Sequence, residues 1–378
     1  MGARFDVCIR GAGIVGQSLA LLLARERLRV ALVRGAGSTD AAQAGHSDVR
    51  AYALNARSRE LLQALRVWPD PEQATPILQM RVQGDAGGQL GFSAASIGTD
   101  ALGWICDVPA LEALLADAVR YQQQIECVDA PQAASLTVVC EGRSSATRDK
   151  FGDEFGIDFD ITPYGQRALA TRVQCERPHQ QAACQWFGGD SGDADILALL
   201  PLDGARGRQM AVVWSTDSAA ALALQSLDEA AFCQRLAERC GQAFGTMQLT
   251  APRATWPLQL ARASRWCGPG WALAGDAAHT VHPLAGQGLN LGLADVTQLA
   301  TVLREREYWR EPGDLRLLRR YARARQGDVL AMGWVTDGLQ RLFSAPGPLA
   351  RQLRNSGLDR FDQTGWLKHR VARGAMGL

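Results

Sequence analysis

The stretch that most limits what this chain can fold into is Trp271 to Asp295, WALAGDAAHTVHPLAGQGLNLGLAD. It opens as an apolar strand over Trp271 to Ala274 and breaks at Gly275-Asp276. A short loop with His279, His282 and Pro283 follows, and the chain restarts at Gly286-Gln287-Gly288. Leu289, Leu291, Leu293 and Val296 then continue as a helix toward Leu299. A strand ending in an acid and followed by a glycine-rich helix start is suited to a polar ligand. Asp276 can accept hydrogen bonds from ligand hydroxyls, and the free N–H groups from Gly286 to Asn290 can face developing negative charge. Two glycines alone fit an ordinary strand–loop–helix connection equally well. The reading therefore needs a second site.

That site is Gly11-Ala12-Gly13-Ile14-Val15-Gly16, after a strand over Phe5 to Ile9 and ahead of a helix from Ile14 to about Arg25. Gly11, Gly13 and Gly16 permit a tight turn, close approach of backbone to a pyrophosphate, and close helix–strand packing, with Ile14 and Val15 between them. Arg29 to Arg34 reads as the second parallel strand, where a dinucleotide fold usually ends in an acid that binds the adenosine ribose. Here that position is Arg34. Arg34 fits either a 2′-phosphate, as in an NADP dehydrogenase, or an FAD ribose held less tightly than usual. The residues alone leave both options open.

Taken together, these stretches resemble the FAD-dependent aromatic hydroxylases of the p-hydroxybenzoate hydroxylase type, and above all the ubiquinone-biosynthesis hydroxylases. The resemblance also covers DVRAYALNARSRELLQALRVW from Asp48, PYGQRAL around Gln166, LLPLDG from Leu199, YARARQGD and TDGLQRLF. It implies FAD as cofactor, NAD(P)H as reductant, and O2 and a hydrophobic aromatic ring as substrates. A flavin hydroperoxide would deliver the hydroxyl group, and the cofactor would carry the difficult steps. The residues implied to hold FAD are Gly11, Gly13, Ile14, Val15, Gly16, Arg34, Arg50, Gly275, Asp276, Gly288, Leu289 and Asn290. Pro283, Gly286, Gln287 and Gly288 would stand at the reacting ring, Pro283 near the oxygen site. Arg50 matches an arginine lying against the flavin and its pyrophosphate, although a solvated arginine is the plain alternative.

Three positions depart from the family. Arg34 replaces the acid, Pro109 stands where an FAD-contacting arginine is usual, and Glu141-Gly142 replaces Asp-Gly with one extra methylene. The stretch from Tyr121 to Val139 is also about one hairpin short. Each weakens an expected FAD contact, so a non-catalytic scaffold subunit of a ubiquinone-biosynthesis assembly is one rival. A hydroxylase of a small soluble phenol is the other.

At 378 residues the chain has room for two structural units. The fold expected is α/β: a Rossmann-like GxGxxG FAD-binding domain at 1–72, 101–154 and 256–328, with a mainly antiparallel substrate sheet inserted at 73–100 and 155–255. A helical region at 329–378 completes it. A net charge of +1 gives no footprint for nucleic acid. No apolar run approaches the ~20 residues of a membrane span, and Met1 to Arg10 lacks a signal-peptide pattern, so a cytoplasmic protein is expected. The nine cysteines are odd in number, scattered, and read as reduced packing residues. Among five histidines no metal-ligand spacing appears, and no metal is expected.

Between the two glycine stretches, Leu54, Leu61, Leu62 and Leu65 recur at helical spacing, and Pro109 opens a helix through Val119. Strands are expected at Ala168 to Val173, Ala183 to Phe187, Ile196 to Leu202, Met210 to Trp214 and Ala254 to Leu260, with a helix from Leu227 to Phe244. After Asp295 the chain reads as helical to its end. Arg316, Arg319, Arg320, Arg323 and Arg325 crowd one segment and the tail is basic. Solvated helix faces explain this; contact with other ubiquinone-biosynthesis proteins or with the inner face of a membrane is the sharper reading.

Overall fold

The computed structural model describes residues 5–34, 49–84, 88–141, 150, 152–188, 195–280 and 287–344, with side chains described to 330 in the last stretch. The first half of the chain runs β1 (Phe5–Arg10), α1 (Ile14–Arg25), β2 (Val30–Val33), β3 (Ala51–Leu54), α2 (Ala56–Ala64), β4 (Ala74–Ile77), β5 (Gln79–Gln83) and β6 (Gln89–Ser93). It continues with β7 (Gly103–Asp107), α3 (Val108–Arg120), β8 (Ile125–Val128) and β9 (Ala134–Val139). Then come β10 (Phe159–Cys175), β11 (Ala182–Phe187), β12 (Ile196–Pro201), β13 (Gln209–Asp217), α4 (Ser218–Ser226), α5 (Glu229–Arg239), β14 (Met247–Leu249) and β15 (Ala254–Ala263). Last are β16 (Cys267–Gly268), β17 (Trp271–Leu273), a 3-10 turn (Gly275–Ala277), β18 (His279–Thr280), α6 (Gly288–Arg304) and α7 (Leu315–Ser344).

The architecture is α/β. One sheet has the order β16-β17-β9-β1-β2-β8 and is parallel except at the β16–β17 edge. All four residues of β2 are buried, as a strand covered on both faces requires. Helix α1 packs against α3 and α6, which explains why it is apolar nearly all round rather than on one stripe. A second sheet, of nine strands, has the order β18-β15-β10-β13-β12-β11-β5-β6, with β14 also on β10. Its pairs are antiparallel apart from β11–β5. Strands β3-β7-β4 form a small third sheet between them in sequence.

The two large sheets meet in the Gly275 stretch. Strand β17 lies in the parallel sheet beside β9, and only a few residues later β18 pairs His279 with Arg262 and Thr280 with Ala261 on β15. Asp276 therefore sits at the crossing from one sheet to the other. Tyr321 of α7, fully buried, donates to the Leu273 carbonyl at 2.7 Å and fixes the end of β17. Burial and the nearby Asp295 keep its phenol protonated, far above the ordinary tyrosine range.

Three expectations need correcting. Leu54 belongs to β3, not to the following helix; Asn55 caps that helix, its side chain accepting from Ser58 N–H at 2.9 Å. The helix expected from Leu227 to Phe244 runs only from Glu229 to Arg239, with Asp228 as its N-cap, and α4 precedes it with Asp217 as cap. Beyond Asp295, α6 ends at Arg304 and α7 starts at Leu315, so the helical run is broken. Among the described residues no helix is long and apolar enough to cross a membrane, and no group of three His, Cys, Asp or Glu is placed to hold a metal.

Candidate cofactor and substrate site

The Gly11 turn is built from backbone at close quarters. Gly11 has φ +109°, and a Cβ there would stand 2.9 Å from the Cys140 carbonyl carbon and the Glu141 nitrogen. A Cβ on Gly16 would stand 1.9 Å from the Gly11 carbonyl oxygen, which forbids any side chain. Gly13, by contrast, is exposed, with nothing within 4 Å of its Cβ direction. It is the N-cap of α1 and offers no side-chain cap, so the N–H groups of Ile14, Val15 and Gly16 face outward from the first helical turn. Gln17 closes the turn by donating to the Ala12 carbonyl at 2.8 Å.

The Gly275 turn comes to the same place. A Cβ on Gly275 would touch Val15 Cγ1 at 3.4 Å, and one on Gly292 would stand 2.9 Å from Val15 Cγ2 and 3.3 Å from Gly275 Cα. Val15 thus wedges between the two turns. The Asp276 Oδ1 atom lies 4.0 Å from where a Gly288 Cβ would be, so the carboxylate sits at the start of α6. That helix also lacks a side-chain cap; its N-cap is Gln287, and the N–H groups of Gly288, Leu289 and Asn290 precede the first intrahelical bond. Pro283 and Gly286 lie outside the described residues.

A buried ionic cluster holds the Gly275 turn. Asp295, fully buried, accepts from Gly275 N–H at 2.9 Å, from His279 Nε2 at 2.7 Å and from Arg325 Nε at 2.8 Å. Burial opposes the charge on Asp295, yet His279 and Arg325 override it and hold the carboxyl below the ordinary aspartate range. His279 is in turn stacked on Trp266, ring centroids 5.0 Å apart. Arg325 is therefore a structural cation and not part of the solvated basic face; Arg316, Arg319, Arg320 and Arg323 are exposed.

Asn290 is committed within the protein. Its Oδ1 accepts from Asn55 N–H at 3.0 Å and Ser58 Oγ at 2.7 Å, and its Nδ2 donates to the Ala53 carbonyl at 2.8 Å. Only its backbone remains for a ligand. Leu289 is buried in the core. Arg50 is exposed with Nη1 3.3 Å from Tyr52 Oη. Arg34, at the end of β2, is exposed and anchored through its backbone N–H to the Val128 carbonyl at 3.0 Å. Glu141 faces Arg10 at 3.7 Å, and Gly142 lies outside the described residues. Pro109 occupies the first turn of α3.

Sequence reading missed Asp295, Gly292 and Arg172. Arg172 lies on β10, donates to Asp107 at 2.7 Å, and also reaches the Val49 and Arg50 carbonyls at 3.3 Å, so it ties the large sheet to the segment carrying Arg50. A lone arginine in the apolar run ALATRVQC was the available signal, since such a charge demands a partner.

Register shows which face of the nine-stranded sheet looks inward. Leu169, Val173, Met210, Val212 and Trp214 pack under α5 in one core. The alternate residues Ala183 and Ala211 pack on Ile77 and Ile105 of the small sheet. Arg172 shares that second face. A pocket of about 510 Å³ lined by Trp214, Thr216, Leu224, Leu227 and Arg235 opens on the opposite, helix-covered side.

Comparison with known proteins gives one answer. A family described as "FAD binding domain" matches residues 116–332. The chain is 33% identical to the ubiquinone hydroxylase UbiL of Rhodospirillum rubrum, over 98% of this chain and 89% of that protein. It is 30% identical to the 3-demethoxyubiquinol 3-hydroxylase of Escherichia coli, over 99% and 98%. In fold it is similar to the p-nitrophenol 4-monooxygenase PnpA of Pseudomonas putida, with TM-score 0.74 at 17% identity, over 100% of this chain and 98% of that one. The chain belongs to the FAD-dependent aromatic hydroxylases, a family of monooxygenases with FAD as cofactor and NAD(P)H as usual reductant, and stands among the ubiquinone-biosynthesis hydroxylases.

Proposed function

We propose that this chain hydroxylates the ring of a polyprenylated phenol on the way to ubiquinone. The observation that carries the reading is likeness at 30% identity or more along almost the whole chain to two relatives named for ubiquinone and 3-demethoxyubiquinol. Because such relatives are named as hydroxylases, the scaffold reading is not favoured.

The residues present fit FAD. The open side of the turn at Gly13 and the uncapped start of α1 suit a pyrophosphate, which would take the N–H groups of Ile14, Val15 and Gly16. Asp276 would accept from hydroxyls of the flavin side chain, and the N–H groups of Gly288, Leu289 and Asn290 would face negative charge on the reduced ring. Arg50 would lie toward the pyrophosphate, and Arg34 would leave the ribose without its usual acid. FAD held there would supply the redox chemistry, in which NAD(P)H provides two electrons, one atom of O2 goes to the ring and the other leaves as water. The protein's part is to position the ring, exclude water and stabilise charge. Ala168, Ala170, Ala198, Ala211 and Ala254 share the alternate face of the sheet with Arg172, and this small-residue face would form the wall of the substrate site. Pro283, Gly286 and Gln287 would complete the wall at the ring.

Exposed Arg316, Arg319, Arg320 and Arg323 on α7 would let the protein approach an anionic membrane surface where a prenylated substrate resides, or other proteins of the same pathway. The test compares a prenylated and an unprenylated phenol as stimulators of NAD(P)H oxidation, with hydroxylated product quantified. The prenylated ring should be preferred, each buried CH₂ contributing ~0.8 kcal/mol. Preference for the unprenylated ring would remove the ubiquinone assignment. No product from any phenol with FAD bound would return the weight to the scaffold.

A further inference from the structure

We propose that the turn carrying Tyr308 and Trp309 is a membrane anchor, which seats both rings at the headgroup level of an anionic bilayer; this rests on the approach of α7 to a membrane and not on the identity of the phenol. Tyr308 and Trp309 lie in the connection between α6 and α7. Tyr308 is 94% exposed and Trp309 66%, and their rings meet edge-on with centroids 4.9 Å apart. The tip of a turn ordinarily goes to Gly, Asn, Asp, Ser or Pro. Two adjacent aromatic rings held in water contribute nothing to the core and call for an occupant.

The turn is built to hold them out. The Arg310 N–H donates to the Glu307 carbonyl at 2.9 Å and closes the turn around the pair. The Arg310 guanidinium then spans Glu307 and Asp314, at 2.8 Å each. Asp314 also accepts from the Arg316 N–H at 2.7 Å, at the start of α7. Below the turn, Ser135 Oγ donates to Glu311 at 3.1 Å and the Gly270 N–H donates to the Gly313 carbonyl at 3.1 Å. The rings are thus presented on a braced support, which lowers the ordering cost of binding.

The same contacts decide the charge. Arg310 neutralises Glu307 and Asp314, and Glu305 lies 3.8 Å from Arg320. Arg304, Arg316, Arg319 and Arg323 are exposed and have no carboxylate partner among the described residues. The surplus around the aromatic pair is therefore positive. Such arginines draw a protein to anionic headgroups, and rings with an apolar body and a polar tip suit the boundary between water and hydrocarbon. A stable protein interface needs ~800 Å² from each partner, and two rings of ~150–250 Å² each fall short of it. A bilayer needs no such area.

The anchor stands apart from the cofactor turns. It sits at the N-terminal ends of β9 and β17, whereas Glu141 and Gly275 follow their C-terminal ends. The length of β9, ~20 Å, separates the two. Loss of the anchor should leave FAD in place.

The experiment uses the FAD-loaded full chain and two kinds of vesicle, phosphatidylcholine alone and an equal mixture with phosphatidylglycerol, with binding read by co-sedimentation. The parent should bind the anionic vesicles at least about tenfold more tightly than the neutral ones. Trp309→Ala should weaken that binding about tenfold, and the double variant Arg316→Gln, Arg319→Gln by about as much, while the Kd for FAD stays within about twofold in both. Lipids brominated near the headgroup should quench tryptophan fluorescence in the parent and clearly less in Trp309→Phe. A Trp309→Ala protein that binds as the parent does overturns the proposal, as does equal quenching in Trp309→Phe. Loss of FAD affinity in Trp309→Ala also overturns it, since the ring would then serve the fold. Self-association of the parent that disappears in Trp309→Ala would give the pair to a second copy of the chain and overturn the lipid assignment. A parent that binds neither vesicle overturns both the anchor and the membrane approach of α7, and leaves the hydroxylase reading standing.

Discussion

The Gly11 and Gly275 turns meet at Val15, yet they are held by different physics. The first is fixed by exclusion: Gly16 is pressed so closely on the Gly11 carbonyl that no other residue fits, and no ion pair is needed. The second is fixed by charge brought from elsewhere, with Asp295 from α6 and Arg325 from α7 closing on Gly275 and His279. A turn fixed by exclusion is insensitive to pH and intolerant of one methyl group. A turn fixed by a buried ion cluster tolerates shape better but depends on protonation.

The largest effect should come from Gly16→Ala. The added methyl must displace the Gly11 carbonyl, so α1 shifts and FAD affinity should fall by more than ~100-fold, with a lower melting temperature. Flavin-fluorescence titration and calorimetry check both. Next is Asp295→Asn, which leaves the buried Arg325 with only the solvent-exposed Asp328 as counterion and should cost ~3–5 kcal/mol of stability. Its pH dependence has a definite sign. The folded carboxyl titrates below its unfolded value of ~3.9, so its contribution is complete above that pH and is lost as pH falls through the depressed folded value. Urea unfolding of apoprotein should show parent and Asp295→Asn converging only in that acid range.

Smaller effects separate cofactor contacts from scaffolding. Asp276→Ala should cost ~1.5–3 kcal/mol of FAD affinity, whereas Arg34→Ala should change it by less than ~0.5 kcal/mol. Equal losses in two folded variants would mean that Asp276 is misassigned. The smallest effect joins the two turns. Gly292→Ala pushes on Val15 and should destabilise by ~1 kcal/mol, and Val15→Ala in the same chain should relieve most of it. Additive losses would show that Val15 is not the junction.

The same contrast explains what the sequence disclosed. Exclusion by glycine is written locally, so β1, the Gly11 turn and α1 could be read from spacing alone. The partners of Asp295 are separated from it by 16 and 30 residues, and nothing local marks Arg325 as different from the exposed arginines around it. Leu54 continues the leucine spacing of α2 and so reads as helical, although Asn55 is the capping residue that separates the helix from the strand before it. Arg172 lies inside an expected strand, but which face it occupies depends on a register that only pairing with Ala211 reveals.

The most direct measurement is an equilibrium titration of the purified chain with FAD, read by its visible spectrum and by quenching of flavin fluorescence. Saturable uptake of one FAD per chain, lost in Gly16→Ala and weakened in Asp276→Ala, is the predicted result. A chain that remains colourless and leaves flavin fluorescence unchanged at every FAD concentration would contradict the account.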